Sequence, residues 1–334
     1  MRPKVSVITS TWRPGGIDVL FRGIADQTYD NFEYILVDHR YEKRHDAVVS
    51  LAKKMGVRNF IHVPEHRRNG PWYVGASGWN TGFLLAEGEV VIMLMDYAYA
   101  PAGWIQAHLQ HHLDGVNRLV LSPHQYYTSP GVVREENGSF NEISIYKAGF
   151  FNPSWIGTMR KYEYPHIDPK LNLPKGPCAY YYCHAKNESF PLKMVLEIGG
   201  ADETMDQGKG PWDMEFGARF QYNGCIVLNE PAATIHSPDP RRIPGLETMP
   251  GVVDDQKRIG DMGLDWSKRW TYAQGEKYQF DRINTYKSGS KPVAPNPFTF
   301  LEERRRIWHW REAHSIDVSG LHVPDEEYYR REHS

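Results

Sequence analysis

The chain has little of what marks several protein classes. Its 334 residues hold three cysteines, Cys178, Cys183 and Cys225. Three cannot all pair and none stands in a CxxC motif, which excludes a disulfide-framed secreted fold. A zinc site from Cys178, Cys183 and His184 would have an unusual spacing; we favour buried thiols in a reducing cytoplasm, so the expected location is cytoplasmic. The longest apolar run, Val90–Met95, has six residues, against roughly 20 for a membrane-spanning helix, and no membrane span is expected. The opening residues lack an apolar stretch of signal-peptide length, so no secretory signal is expected. Charge of one sign is missing too: 39 Lys and Arg against 41 Asp and Glu leave a net charge of −2. That balance argues against nucleic acid as a partner, although a local patch such as Arg67-Arg68 with the Arg304-Arg305-Arg306 run would suffice. There is no GxxxxGK[ST] loop, no GxGxxG after the first strand, no GxSxG and no HExxH, so the fingerprints of P-loop nucleotide hydrolysis, dinucleotide binding, α/β-hydrolase and zincin chemistry are absent.

What is present is a folded composition, 40% hydrophobic and 24% charged, in a chain long enough to bury a core unaided. Through residue 125, short apolar runs alternate with helical periodicity. Strands are predicted at Lys4–Thr9, Tyr34–Val37, Asn59–Val63, Glu89–Met95 and Arg118–Ser122. Helices are predicted at Ile17–Gln27, Arg44–Met55 (closed by Gly56), Ala76–Ala86 and Trp104–Leu113. This alternation predicts an α/β fold with a mostly parallel sheet flanked by helices. Further on, Ala185–Ile198 resumes regular structure up to Gly199-Gly200. Trp212–Tyr222 reads as a helix, Cys225–Leu228 as a strand, and another short strand ends at His236. Prolines crowd Pro238–Pro250 and Pro292–Pro297 around a polar stretch, ahead of a charged helix at Thr299–His314.

Ligands of parallel sheets sit at the carboxyl ends of the strands. That rule selects Thr9–Thr11, Asp38 and Asp96. Asp96 ends the most apolar strand, where one or two carboxylates with phosphate oxygens can hold a hard divalent cation; the bland alternative is a helix N-cap. His236, at another strand end, is the candidate second ligand, set against a satisfied buried histidine. Manganese would suit that mixed donor pair better than magnesium. Asp213 opens a helix and is either a cap or a general base toward an acceptor hydroxyl. Trp212 beside it could offer a flat face to a sugar, and Asp202 and Glu203 join it as candidates on the acceptor side. His108 and His112 share a helix face, read as exposed rather than metal-binding.

Four blocks carry a family resemblance. VSVITSTWRPGGIDVLFRGIADQTYDNFEYILVD (Val5–Asp38), NTGFLLAEGEVVIMLMD (Asn80–Asp96), ESFPLKMVLEIGGADE (Glu188–Glu203) and WDMEFGARFQYNG (Trp212–Gly224) resemble, in that order, segments of family-2 glycosyltransferases with the GT-A fold. The last block, with the downstream AATIHS, is also similar to the polypeptide N-acetylgalactosaminyltransferases. The resemblance implies a glycosyltransferase using a nucleoside-diphosphate sugar, UDP-linked by preference, with a glycan, small molecule or other hydroxyl compound as acceptor. It implies that Thr9, Thr11 and Asp38 bind the donor nucleotide, that Asp96 and His236 hold Mn2+ or Mg2+, and that Asp213 is the catalytic base of an inverting transfer. Glu203 would shape the acceptor side and Arg219 would be structural. Residues 1–236 would form the GT-A domain, with 1–125 on the nucleotide-sugar side and 126–236 on the acceptor side, and 237–334 a C-terminal helical or irregular extension. The chain departs from the family twice: His39 stands where a second nucleoside-binding acid is usual, and Met95-Asp96-Tyr97-Ala98 keeps only one acid of the metal motif. Two alternatives follow: a nucleotide-sugar or glycan-binding protein without catalysis, and a glycosyltransferase acting on modified DNA bases.

Overall fold

The strands, in chain order, are β1 (Val5–Thr11), β2 (Phe32–Asp38), β3 (Phe60–Pro64), β4 (Val90–Leu94), β5 (Arg118–Leu121), β6 (His124–Tyr127), β7 (Lys161–Tyr162), β8 (Asn187–Pro191), β9 (Ile226–Asn229) and β10 (Ile235–Pro238). The helices are α1 (Ile17–Ala25), α2 (Tyr41–Met55), α3 (Ala76–Leu85), α4 (Trp104–Leu109), α5 (Leu192–Glu197), α6 (Trp212–Tyr222) and α7 (Tyr272–Tyr286). They come from a computed structural model that describes residues 3–66, 75–127, 141–144, 151–154, 161–162, 183–207, 212–238, 270, 272–286, 291–296, 299–300 and 302–304.

Seven strands form a central sheet in the order β3-β2-β1-β4-β8-β5-β9, and β10-β6-β7 form a small second one. In the central sheet only the pairings of β8 with β4 and β5 are antiparallel. The expected mixed α/β architecture, a mostly parallel sheet flanked by helices, is the one observed.

Alternate residues of the strands feed two cores. Val5, Val7, Leu36 and Ile92 pack with Leu20, Phe21 and Ile24 of α1, Val48 of α2 and Trp104 of α4. Ile8, Val37, Val91 and Met93 pack with Phe83 of α3, Val195 of α5 and Phe216 and Phe220 of α6. Both faces are covered, which is why these strands read as continuous apolar runs rather than alternating ones. Helix α3 is buried along its whole length, and two glycines one turn apart let it lie directly on β1. A Cβ at Gly78 would stand 2.2 Å from Ser10 Oγ, and one at Gly82 would stand 2.4 Å from Ile8 Cγ2.

The elements predicted up to His236 are present, and the shifts at their ends have local causes. Helix α1 stops at Ala25 because the Gln27 side chain donates to the carbonyls of Gly23, Ala100 and Pro101 at 2.8, 3.0 and 2.9 Å, which turns the chain away. Helix α4 gives way to a 3-10 turn at Gln110–His112. Its histidines correct the expectation of an exposed face. His108 is fully buried between Asn187 and Ser189, at 3.0 Å from each, and His112 meets the same Ser189 hydroxyl at 2.9 Å. Burial pushes both imidazoles down, to about 3 and about 4, so they are neutral hydrogen-bonding groups at ordinary pH.

Helix α7 lies in the polar stretch between the two proline clusters, where the sequence indicates no element. Its Ile283 and Tyr286 pack on Ala218 of α6. Phe300 is buried in the core formed by α3 and α6, and Arg304 donates to the carbonyls of Phe83 and Leu84 at 3.2 and 2.9 Å and to that of Ala86, capping the end of α3. Asn296 donates to Gly199 and Ala201 carbonyls, both at 2.8 Å. The described residues beyond 237 are thus bonded into the central core. Phe300 and Glu302–Arg304 are helical within the expected Thr299–His314 helix; Arg305 and Arg306, like Cys178, Arg67 and Arg68, lie outside the described residues. Among the described residues no helix is long and apolar enough to cross a membrane.

Candidate functional site

The strand order reverses at β1: β2 and β3 build outward on one flank and β4 on the other. In an open parallel sheet such a switch point leaves a crevice outside the carboxyl ends of the two strands, and that is where ligands bind. Thr11 and Asp96 stand at its two lips. The Thr11 hydroxyl donates to Asp96 Oδ2 at 3.2 Å, and Arg13 Nε lies 3.4 Å from the same oxygen. Asp96 does not cap a helix: α4 begins eight residues later behind Gly103, without a side-chain cap.

The antiparallel strand β8 brings further charges to this rim. Its register sets Asn187 opposite Leu94, and the Met95 amide donates to the Lys186 carbonyl at 2.7 Å. The Lys186 ammonium, half-buried, is held down by burial and raised by Asp213 and Glu188, while Arg13 opposes its charge. Asp213, near the start of α6, accepts the Met214 amide at 2.9 Å through Oδ1. Burial pushes its carboxyl up to about 6, against the pull of that amide and of Lys186. Glu188 is buried, accepts the His184 amide at 2.6 Å and the Cys183 thiol at 3.4 Å, and is pushed by burial, with Asp213 adding to it, up to about 7. Asp96, Arg13, Lys186, Asp213 and Glu188 therefore form one electrostatically linked group. Lys186 and Glu188 went unselected in the sequence because their importance depends on β8 running antiparallel, and Arg13 because its approach to Asp96 depends on β1 lying beside β4; no local pattern encodes either pairing.

Other expected residues stand elsewhere. Thr9 is fully buried within β1, its Oγ1 accepting the Tyr34 hydroxyl at 3.2 Å. Asp38 does end β2 opposite Thr11, but its oxygens already receive Arg44 Nε and Nη2 at 2.7 and 2.8 Å, the Arg40 amide at 2.8 Å and His62 Nε2 at 3.0 Å. Burial opposes its ionisation, yet Arg44 and His62 overcome that and hold the carboxyl well below the usual range. With four donors on two oxygens, Asp38 is a scaffold that fixes α2 and β3 to the end of β2. His39, next along the chain, sits 2.9 Å from Glu65 Oε2.

Trp212, expected to offer a face to a sugar, is buried against Phe216, with rings 6.0 Å apart, and stands where a Cβ on Gly75 would touch its indole nitrogen at 2.9 Å. Asp202 is buried too, accepting the Tyr278 hydroxyl of α7 at 2.9 Å and the Thr204 amide at 3.0 Å. Glu203 accepts Asn80 Nδ2 at 2.9 Å, and its amide donates to Asn296 at 3.0 Å. These three belong to the packing between α3, α6 and the C-terminal residues. Arg219 matches its structural role: fully buried, it makes a bidentate pair with Glu215 at 2.8 and 2.9 Å and donates to the carbonyls of Ile198, at 2.7 Å, and Gly200.

His236 comes close to the rim through its backbone. It forms an antiparallel bridge with Tyr99, the two amides donating at 3.0 and 2.7 Å, which clips β10 to the chain three residues beyond Asp96. The donor set around Asp96 does not fit the divalent cation that the resemblance implies. Among the described residues no three His, Cys, Asp or Glu side chains converge on one point. Ala98, where the motif would place a second acid, is fully buried in the apolar core. One oxygen of Asp96 already faces the fixed positive charge of Arg13. A hard cation wants an oxygen-rich cage, and among the described residues the motif supplies one carboxylate, beside Arg13.

Compared with known proteins, the chain matches no family model and no curated protein. Among solved structures it is similar to the mannosyltransferase PcManGT from Pyrobaculum calidifontis in complex with GDP-Man and Mn2+, at 15% identity and a TM-score of 0.48, over 94% of this chain and 74% of that one. It is also similar to TarS of S. aureus, at 14% identity and a TM-score of 0.48, over 95% of this chain and 54% of TarS, so it spans about half of that protein.

Proposed function

We propose that the chain is a glycosyltransferase of the GT-A type that moves a sugar from a nucleoside-diphosphate sugar to an acceptor hydroxyl. The observation that carries this is the Thr11–Asp96 contact at the switch point, electrostatically linked through Arg13 and Lys186 to Asp213. The ordered sequence blocks that resemble family-2 enzymes supply the reaction class, and uridine is the first nucleotide to test.

In this scheme the diphosphate lies at the rim between β1 and β4, toward the cations, and the sugar points toward α6. Asp213 takes the proton of the acceptor hydroxyl as its oxygen bonds to the anomeric carbon. The bond from that carbon to the diphosphate oxygen breaks with its electron pair, and the product is inverted at the anomeric centre. A carboxyl ionising at about 6 suits this work, since a general base acts best when its pKa lies near the working pH. Arg13 and Lys186 offset the charge that grows on the leaving diphosphate, in a site where fixed charges act strongly.

The test is release of nucleoside diphosphate from a panel of UDP- and GDP-linked sugars, with and without simple hydroxyl acceptors. Asp213→Asn is expected to cut transfer about 10²–10⁴-fold while nucleotide affinity, measured by calorimetry, is unchanged. Near-normal turnover of that variant would remove Asp213 from the mechanism. A chain that binds donors but never cleaves them would be a binding protein instead.

A further inference from the structure

We propose that Arg13 takes the place of a divalent cation in gripping the donor diphosphate, so that donor binding at this site is independent of metal. The inference rests on the sugar-transfer proposal and concerns how the same site holds its anion. Arg13 is placed as such a cation would be: beside the single acid of the motif, 3.4 Å from Asp96 Oδ2, with its side chain about one-quarter exposed, at 23%. Guanidinium keeps its charge at every working pH and presents planar pairs of N–H donors that match two phosphate oxygens at once.

The loop around it is built to fix that position. The Arg13 guanidinium lies 5.5 Å from the Trp12 ring centre and 5.4 Å from that of Tyr97. Tyr97 itself occupies the middle position of the degenerate motif, with a left-handed φ of 62°. Its hydroxyl donates to the Pro14 carbonyl, and its ring fills the space above Gly16, where a Cβ would stand 2.5 Å from Cδ1. The residue that follows the single acid thus clamps the Arg13 loop to the end of β4. The next residue, Ala98, turns into the core. The turn that lacks a second acid and the loop that carries the fixed cation are thus held against each other by Tyr97.

Lys186 adds a second positive charge to the rim, close enough to Arg13 for their repulsion to register. Two cations held together against repulsion, among the acids Asp96, Asp213 and Glu188, offer a multiply charged anion a place to bind. A diphosphate supplies it.

The experiment is calorimetric titration of the full chain with UDP, GDP, ADP and CDP, and with the parent nucleosides, in EDTA and again with Mn2+ or Mg2+. The expected result is a diphosphate that binds in EDTA within about threefold of its affinity in metal, tighter than its nucleoside. Arg13→Ala should weaken the diphosphate at least tenfold and leave the nucleoside unchanged, and Arg13→Lys should recover part of the loss. Diphosphate affinity that drops more than threefold in EDTA, or a diphosphate-to-nucleoside ratio unmoved by Arg13→Ala, overturns the inference while leaving sugar transfer standing. Absence of nucleotide binding in every arm overturns both.

Discussion

The ionisation of Asp213 gives the proposed chemistry a pH signature with a sign and a size. Its carboxyl ionises at about 6 because burial resists charge there, with the Met214 amide and Lys186 pulling the other way. If it is the base, only the ionised fraction works: about nine-tenths of the molecules at pH 7 and about one-tenth at pH 5, a fall in rate of roughly tenfold. That is about 1.4 kcal/mol of apparent barrier. Neighbouring charges then make two distinct claims. Lys186 draws the Asp213 carboxyl toward its ionised form, so Lys186→Gln removes that attraction and moves the inflection to higher pH. Glu188, which ionises at about 7, is mostly neutral near pH 6, so Glu188→Gln leaves the inflection where it is. The assay is single-turnover release of diphosphate from a saturating donor between pH 4.5 and pH 8, with each profile scaled to its own plateau. Three profiles with a common inflection would refute the electrostatic link between β8 and α6. So would a wild-type rate that is flat from pH 7 to pH 5, or an inflection that persists in Asp213→Asn.

Two further predictions concern stability. Asp206 caps α3 by accepting the Ala76 and Ser77 amides at 2.9 and 2.8 Å, and burial, with Glu65 and Glu203 nearby, pushes its carboxyl from 3.8 up to about 8. The folded chain keeps a proton that the unfolded chain releases, so this contribution is complete below about pH 4 and is lost as pH rises toward 8; the melting temperature of wild type relative to Asp206→Asn should be highest at about pH 4 and fall steadily from there to pH 8. Arg219→Met leaves Glu215 buried without its guanidinium partner, a change expected to cost about 3–5 kcal/mol. With an unfolding entropy of about 2.1 cal/mol/K per residue over 334 residues, the melting temperature should fall by roughly 4–7 °C. Adding Glu215→Leu should recover most of it, and a double variant no better than the single one would show that the pair is not what Arg219 contributes.

The sheet was legible because its physics is local. Runs such as Val90–Met95 and Val5–Thr9 carry β-branched and apolar residues on both faces, and the intervening helices show their buried stripe at the right spacing. Helix α6 was read to the residue, since Trp212 and Tyr222 bound a periodic segment. Helix α7 was not, because its sequence is polar over most of its surface and its few anchors act through distant partners. Tyr278 reaches Asp202 and Tyr286 reaches Glu215, more than 70 positions away. Gly78 and Gly82 were equally silent: what makes them necessary is the approach of α3 to β1, a tertiary relation.

The site divides along the same line. Three acids drew attention for one reason, their place at the end or start of an element, and the fold uses each differently. Asp38 has four donors on its two oxygens and no capacity left for a ligand. Asp96 has given one oxygen to Thr11 and Arg13. Among the described residues Asp213 accepts local amides and lies within the field of a half-buried lysine, which is why we propose it as the reacting acid. Position at a strand end selects where chemistry can happen, and the count of donors already committed decides which residue is free to perform it. The donors on Asp38 and Asp96 depend on Arg44 and Arg13, and the field at Asp213 on Lys186, residues 6, 83 and 27 positions from the acids they act on. A substitution that released Asp38 from Arg44 would therefore not create a second site. It would leave a buried charge without its partner, and the end of β2 would lose its anchor to α2 long before it gained a ligand.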